Sequence, residues 1–155
     1  MGFFDGYDVA TSGMSAQRTR INVVSANIAN AQTTHGVDGG PYKKQNVVFQ
    51  EVLLDAQKNT NNSTTQMQMK PNQTSSISPI GVGVKEIVEA KNAPILKYEP
   101  THPDANNEGY VAYPNINPVI EMTDLIEAMR SYEANLSAFQ TQKAMDTKTL
   151  DILKG

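Results

Sequence analysis

The two ends of the chain carry long helical patterns with the same apolar spacing, and this feature constrains the fold most. In residues 5–31 one stripe alternates steps of three and four residues: Tyr7, Ala10, Met14, Gln17, Ile21, Val24, Ile28 and Ala31. In residues 118–154 the same spacing joins Met122, Leu125, Met129, Tyr132, Leu136, Phe139, Lys143, Asp146, Leu150 and Leu153. Heptad spacing is how two helices pack along their length. We therefore predict that the terminal helices pair as an antiparallel, coiled-coil-like domain.

Both helices have start signals in the sequence. Asp5 is a candidate N-cap for the first helix. Asn117 is a candidate N-cap for the last one, because Pro118 follows it and proline at the first helical position sacrifices no hydrogen bond. These signals place the helix starts independently of the apolar spacing.

Each helix also carries a second apolar ridge at seven-residue spacing, formed by Val9, Ala16 and Val23 and by Ala138, Met145 and Ile152. Either the ridges widen an ordinary amphipathic face, or they contact neighbouring subunits. Burying one stripe offsets only part of the conformational entropy of ordering such long helices. We therefore expect helix ends that are loose in the free monomer and become ordered on assembly.

The middle of the chain has a different character, since it combines β-branched runs with Gly, Pro and Asn. Short strands are predicted within 40–54, 81–90, 94–100 and 109–118, with a turn at 102–110 and a mobile polar loop at about 56–78. The predicted fold is mainly α with a small β region. Its domains are 1–36 plus 117–155, which form the discontinuous helical unit, and 37–116, which forms the β-rich region.

Composition excludes several classes of function. The formal charge is −3 and the basic residues form no block, which argues against a nucleic-acid partner. No apolar stretch is long enough to span a membrane. The first residues lack the basic and apolar regions of a signal peptide, so we expect any export to occur without a cleaved signal. The chain contains no cysteine.

Candidate catalytic groups are few. His35 with Asp38 and His102 with Asp104 lie in turn segments, where they do not form a metal site or a general base. The Gly-Val-Gly run at 81–83 lacks the Lys and Ser or Thr of a phosphate loop, so a bend or bulge is the better interpretation. We predict a protein that is not an enzyme, with no cofactor, no metal and no small-molecule substrate.

The stretch "SANIANAQTTHG" at residues 25–36 places two asparagines in a helix. Asparagine in a helix interior costs roughly 0.5–0.7 kcal/mol relative to alanine. We predict that Asn27 and Asn30 point toward a neighbouring subunit, not into a core of their own chain, because a buried asparagine can fix register between helices. A helix-end signal explains Asn30 equally well.

The stretch "SANIANAQTT" near the start, with a heptad helix at the end, resembles the signature of bacterial flagellar axial proteins: rod, hook and junction subunits. The segments "GGPYKKQNVVF" (39–49) and "GYVAYPNINPVIEMTDLIEAMRSYEANLSAF" (109–139) are similar to those of the proximal members of the flagellar basal-body rod protein family. Signature matches are Ser25, Asn27, Ile28, Ala29, Asn30 and Ala31 and, near the other end, Glu133, Ala134 and Asn135.

This resemblance implies a structural subunit of the flagellar rod, which assembles helically in the periplasm and transmits torque. It implies export by the flagellar type III apparatus and, as partners, other rod subunits, the ring–rod adaptor and copies of the chain itself. Subunit contacts are then expected at the signature residues and along the last helix, at Met122, Leu125, Met129, Tyr132, Leu136 and Phe139. Two alternatives remain open: another axial protein, such as a different proximal rod subunit, and a soluble coiled-coil scaffold unrelated to flagella.

Overall fold

The computed structural model describes residues 5–36, 39–53 and 80–154. Two long helices flank four strands, in the order α1 (Asp5–Ala29), β1 (Gln45–Leu53), β2 (Ile80–Glu89), β3 (Ile95–Tyr98), β4 (Tyr110–Tyr113) and α2 (Pro118–Lys154). The fold is mainly helical with two small antiparallel sheets, as predicted, and each strand lies at or within a residue or two of its predicted segment. The predicted polar loop at 56–78 and Asp38 lie outside the described residues.

The start of α2 confirms the predicted cap. The Asn117 side-chain oxygen accepts a hydrogen bond from the Val119 N–H at 3.0 Å, and the Asn117 carbonyl accepts one from the Glu121 N–H at 3.1 Å. Pro118 is the first helical residue, where its missing N–H leaves no partner unsatisfied. An Asn-Pro pair therefore fixes where the long C-terminal helix begins.

The two helices lie side by side and run antiparallel. Their contacts follow opposite sequence order, from Tyr7 beside Phe139 through Arg20 beside Asp124 to Asn27 beside Glu121. A Cβ at Gly13 would lie 2.9 Å from the Asn135 amide nitrogen, so glycine allows the helices to approach closely there. The antiparallel pairing is thus visible, whereas knobs-into-holes packing along the pair stays a prediction.

The predicted stripe of α2 divides into two flanks. Leu125, Tyr132 and Phe139 are half-buried, whereas Met122, Met129 and Leu136 are exposed. The fully buried positions of the helix are Glu121 and Ala128, and neither belongs to the predicted stripe. The prediction that the whole stripe forms the seam is therefore wrong, because α1 packs against only one flank of it.

On α1 two of the three residues of the second ridge serve the chain's own fold. Ala16 and Val23 are buried, together with Ala10 and Val24 of the main stripe. Val23 and Val24 line one cleft with Val47 and Phe49 of β1. Ala16 and Val23 therefore widen an ordinary intrachain face, whereas Val9 at the start of the same ridge is exposed. Met145 and Ile152 on the ridge of α2 are exposed as well.

Strands β1 and β2 form a two-stranded ribbon that follows α1. Pairing runs from Gln45 opposite Glu89 to Leu53 opposite Ile80, with a bulge near Val48. The ribbon is fastened to α1 near one end by Asn27, and near the other end the Val82 N–H donates to the Ser12 hydroxyl oxygen at 3.1 Å. Contacts of α1 with both α2 and the ribbon place α1 between them.

Strands β3 and β4 form a hairpin whose turn matches the predicted one at 102–110. The Asn106 side-chain oxygen accepts from the N–H groups of Glu108 and Tyr110, at 3.0 and 2.8 Å. Gly109 has a φ of 81°, and a Cβ there would lie 2.9 Å from the Tyr98 ring, so this position requires glycine. The Thr34 hydroxyl donates to the Asp104 carboxylate at 2.6 Å, which ties the turn to the segment after α1.

Neither of the described helices is both long and apolar enough to cross a membrane.

Candidate functional site

The side chain of Asn27, in the middle of the first signature, is completely buried. Its amide nitrogen donates to the Gln45 carbonyl at 2.8 Å, and its oxygen accepts from the Gln45 N–H at 2.9 Å. The carboxamide therefore pairs with both backbone groups of the first residue of β1. In an antiparallel sheet, a residue of a neighbouring strand would form the same two hydrogen bonds with Gln45.

Two further groups complete the hydrogen bonding of Asn27. Its amide nitrogen also donates to the Glu121 carboxylate at 3.0 Å, and its oxygen also accepts from the Tyr42 hydroxyl at 3.1 Å. A carboxamide has two N–H donors and two acceptor sites, so all four capacities are used. We call Asn27, Tyr42, Lys44, Gln45 and Glu121 the Asn27 cluster.

Glu121 is the charged centre of the cluster, since only 1 % of its surface is exposed. The Lys44 ammonium lies 2.6 Å from one of its oxygens, while Asn27 donates to the other. A buried carboxylate is tolerated only when it is paired and hydrogen-bonded. Both conditions are met here, which makes the cluster a satisfied structural junction.

Burial raises the pKa of Tyr42, and the negative charges of Glu121 and Glu89 raise it further. The Tyr42 hydroxyl therefore stays protonated at neutral pH and keeps donating to Asn27. The cluster holds a neutral amide, a neutral phenol and one ion pair, and this arrangement suits binding between elements of the chain.

The structure corrects the prediction that Asn27 points toward a neighbouring subunit. Helical position placed Asn27 beside the main stripe, but it could not show that Glu121 of α2 and the start of β1 lie on that side. Asn30 behaves differently, because its amide donates to the Ala26 carbonyl at 2.9 Å and its oxygen accepts from the Thr33 hydroxyl at 3.2 Å. These local bonds support the helix-end interpretation of Asn30.

The other predicted contact residues are distributed over both faces of the helices. Ser25, Ala29, Glu133 and Ala134 are exposed, and the half-buried positions are Ile28, Ala31, Leu125, Tyr132, Asn135 and Phe139. Asn135 faces Gly13 across the helix pair, so it contributes to the intrachain contact. Contact of the exposed signature residues with neighbouring subunits stays a prediction.

An apolar strip lies on the outer side of α2. Met122, Ile126, Met129 and Leu136 follow one another at steps of four, three and seven residues and are each 37–53 % exposed. We call these four residues the exposed stripe. Sequence reasoning missed Ile126 because it falls outside the three-four series, although its spacing from Met122 is a helical one. Contiguous exposed apolar groups on a helix mark a surface that contacts another molecule.

Sequence reasoning also missed Tyr42, Lys44 and Glu121. Lys44 and Tyr42 lie within the segment 39–49 that carries the family resemblance, but nothing in the pattern indicated a buried partner. Glu121 lies in the first turn of α2, where an acidic residue is favourable near any helix N-terminus. Because an acidic residue is favourable there in any helix, the sequence did not indicate that Glu121 pairs with Lys44 and Asn27.

The candidate catalytic groups lie in ordinary local structure. His102 accepts a hydrogen bond from the Asp104 N–H at 3.1 Å within the β3–β4 turn. Gly81 and Gly83 lie inside strand β2, and a Cβ at Gly83 would lie 2.7 Å from a Val52 methyl group. Among the described residues, no group of three His, Asp or Glu side chains is placed to hold a metal ion.

The chain is similar to known proteins of the bacterial flagellar rod. The family model "Flagella basal body rod protein" matches residues 8–36, and "Flagellar basal body rod FlgEFG protein C-terminal" matches residues 107–152. Relatives named "Flagellar basal-body rod protein FlgC" occur in several bacteria. The relative from Borreliella burgdorferi is 40 % identical over 159 aligned positions, which cover 100 % of both chains.

Relatives from two other bacteria give similar figures. The Bacillus subtilis relative is 40 % identical over 158 positions, covering 99 % of this chain and 100 % of its own. The Salmonella typhimurium relative is 37 % identical over 152 positions, covering 98 % of each. The similarity therefore spans the helices, the ribbon and the hairpin together.

Proposed function

The chain belongs to the FlgC family of flagellar basal-body rod proteins and is a structural subunit of the proximal rod, and we propose that the exposed stripe of α2 packs against neighbouring rod subunits. The single observation that supports this is the arrangement of α2. Leu125, Tyr132 and Phe139 are half-buried on its intrachain side, whereas a second set of apolar residues stays 37–53 % exposed: Met122, Ile126, Met129 and Leu136. A subunit that works alone would place its apolar side chains inward.

The stripe is large enough to matter for assembly. Completing the burial of a half-exposed aliphatic side chain contributes about 1 kcal/mol, so four of them contribute roughly 4 kcal/mol per contact. Leu150, Ile152 and Leu153 at the end of α2 are also exposed and extend the same kind of surface.

The protein associates with other components of the flagellar rod. More specifically, we propose that its neighbours include copies of itself and the ring–rod adaptor, and that the flagellar type III apparatus exports it to the periplasmic part of the basal body. Its role there is mechanical and without catalysis, namely to transmit torque through packed helices. Export without a cleaved signal stays a prediction from sequence.

The proposed domain division assigns 1–36 and 117–155 to a discontinuous helical domain and 37–116 to a β-rich and loop region. The antiparallel helix pair supports the first part, and coiled-coil-like packing of that pair is proposed with it. Both two-stranded sheets lie within 37–116, in agreement with the second part. In this arrangement the ribbon on α1 leaves the outer side of α2 available to neighbours.

The test is a charge placed in the stripe. Met129→Glu should leave the free chain folded, because this side chain is already half-exposed, but it should abolish swimming when the variant complements a deletion strain. The matched control is Thr141→Glu, an exposed position of the same helix outside the stripe. Normal swimming of the Met129 variant, with normal basal bodies in electron micrographs, would contradict the proposal.

A further inference from the structure

The Asn27 carboxamide occupies the position that a third strand would take beside β1. One edge of β1 is already paired, since Gln45 lies opposite Glu89 and the Ala90 N–H donates to the Lys44 carbonyl at 2.7 Å. The other edge of β1 begins at Gln45, and there both backbone groups are bonded to Asn27. A side chain of α1 thus closes the ribbon edge at its first residue.

From this geometry we infer that Asn27 is a positioning residue that holds β1 in one register on the helix pair, through a cluster that only an amide at this position can complete. The requirement comes from its partners. The Gln45 carbonyl and the Glu121 carboxylate need donors, while the Gln45 N–H and the Tyr42 hydroxyl need acceptors. An amide supplies both kinds of group, a carboxylate supplies only acceptors, and an aliphatic chain supplies neither.

The cluster joins three parts of the chain that are far apart in sequence. Asn27 belongs to α1, Glu121 to α2, and Tyr42, Lys44 and Gln45 to the segment that enters β1. If Asn27 releases Gln45, the ribbon keeps its hydrogen bond to Ser12 and the Lys44–Glu121 pair, but it loses its hydrogen bonds to α1 at Gln45. This inference goes beyond the proposed packing of the exposed stripe, because it concerns how the β region is held on the helices within one subunit.

Charges around Asn27 give the inference a distinctive consequence. In Asn27→Asp, a carboxylate would face the Glu121 carboxylate across the 3.0 Å now spanned by a hydrogen bond, and it would also face the Gln45 carbonyl. Replacing Glu121 with Gln relieves the first conflict. The same Glu121→Gln change in the unaltered chain removes the partner of Lys44. The effect of Glu121→Gln on stability should therefore reverse sign between the two backgrounds.

The experiment compares four variants of the full chain: Asn27→Asp, Glu121→Gln, the double variant, and Asn30→Asp as the matched control from the same signature. Urea unfolding gives stability, and hydrogen exchange read at the Gln45 amide gives attachment of β1. We expect Gln45 exchange at neutral pH to be roughly tenfold to hundredfold faster in Asn27→Asp than in Asn30→Asp, because the carboxylate can donate neither to the Gln45 carbonyl nor to Glu121, so β1 detaches from α1 more often. We expect Glu121→Gln to lower the unfolding midpoint alone and to raise it in the Asn27→Asp background.

Two results would overturn the inference. One is equal Gln45 exchange in the Asn27 and Asn30 variants. The other is a Glu121→Gln effect of the same sign in both backgrounds, which includes a double variant no better folded than Asn27→Asp alone. Neither result depends on the exposed stripe, so the Met129→Glu experiment and this one can fail separately.

Discussion

The two faces of α2 differ in burial, although both carry apolar side chains. The face toward α1 carries two fully buried residues, Glu121 and Ala128, and four half-buried ones: Leu125, Tyr132, Asn135 and Phe139. The outer face carries Met122, Ile126, Met129 and Leu136. Apolar groups therefore make part of the contact within the subunit, and those of the outer face are left for the proposed contacts between subunits.

The largest expected difference between the faces appears at two adjacent residues. Ala128→Glu places an unpaired charge at a fully buried site and should lower the free energy of unfolding by about 4 kcal/mol or more. Met129→Glu places the same charge on the outer face and should change it by less than about 1 kcal/mol. Urea unfolding of both purified variants measures the difference. Equal destabilisation would show that both faces of α2 are buried in the free chain.

The next comparison uses two neighbouring lysines. Lys44→Met leaves the buried Glu121 without its cation and should cost about 3 kcal/mol. Lys43→Met breaks an exposed pair with Glu89 at 3.2 Å and should cost about 0–1 kcal/mol. Thermal unfolding of each variant provides the measurement. A Lys44 effect as small as that of Lys43 would mean that the Asn27 cluster is open to water.

A graded pattern of amide exchange should follow from the position of the cluster. Since the Asn27 cluster and the buried Val23, Val24 and Ala128 lie toward one end of the helix pair, we expect slow exchange there in the free chain. Exchange should be faster toward residues 5–12 and 140–154, which lie at the other end. This refines the expectation of loose ends, which stays a prediction. Equal protection of the amides along both helices would contradict this expectation.

The smallest effect concerns the far end of the pair, where the Tyr7 hydroxyl donates to the Asp146 carboxylate at 2.5 Å. This hydrogen bond raises the pKa of Tyr7 to about 12, with smaller contributions from burial and from the Asp146 charge. Because the pKa is higher in the folded chain than the ordinary value near 10, the stabilisation is complete below pH 10 and is lost as the pH rises toward 12.

Tyr7→Phe removes this contribution and leaves those of Tyr42 and Tyr113, whose pKa values are also raised. Between about pH 9 and 12 the melting temperature of the unaltered chain should therefore fall slightly more than that of Tyr7→Phe. Parallel curves from the two proteins would show that the Tyr7 bond is not formed in solution.

The sequence predicts those parts of the fold that depend on local chemistry. Apolar spacing located both helices, and Asn117 with Pro118 located the start of α2 to the residue. Turn residues around Gly109 located the β3–β4 hairpin. All of these signals lie within a few neighbouring residues, because a cap, a turn or an amphipathic period is a property of a short segment.

The candidate site was less accessible to sequence reasoning. A three-four stripe has two flanks, and nothing in the spacing of Met122 and Leu125 shows which flank meets α1. The main partner of Asn27 is the backbone of Gln45. Almost every residue has the same backbone groups, so the sequence does not indicate which residue bonds to Asn27. The cost of Asn27 in the helix was a correct signal of a special role. The partner toward which the Asn27 side chain points depends on where β1 begins, and that position is a property of the whole fold.

Thiol labelling tests the division of α2 most directly, since the chain has no cysteine of its own. Met129→Cys, Ala128→Cys and Thr141→Cys each introduce one thiol, to be labelled in the free subunit and in purified basal bodies. If the exposed stripe packs against neighbouring subunits, the thiol at 129 reacts in the free subunit and is protected in the rod. The thiol at 128 should be unreactive in both, and the one at 141 is the reference for an outer site beyond the stripe. Equal labelling of the thiol at position 129 in free subunits and in assembled rods would contradict the proposed packing of the exposed stripe.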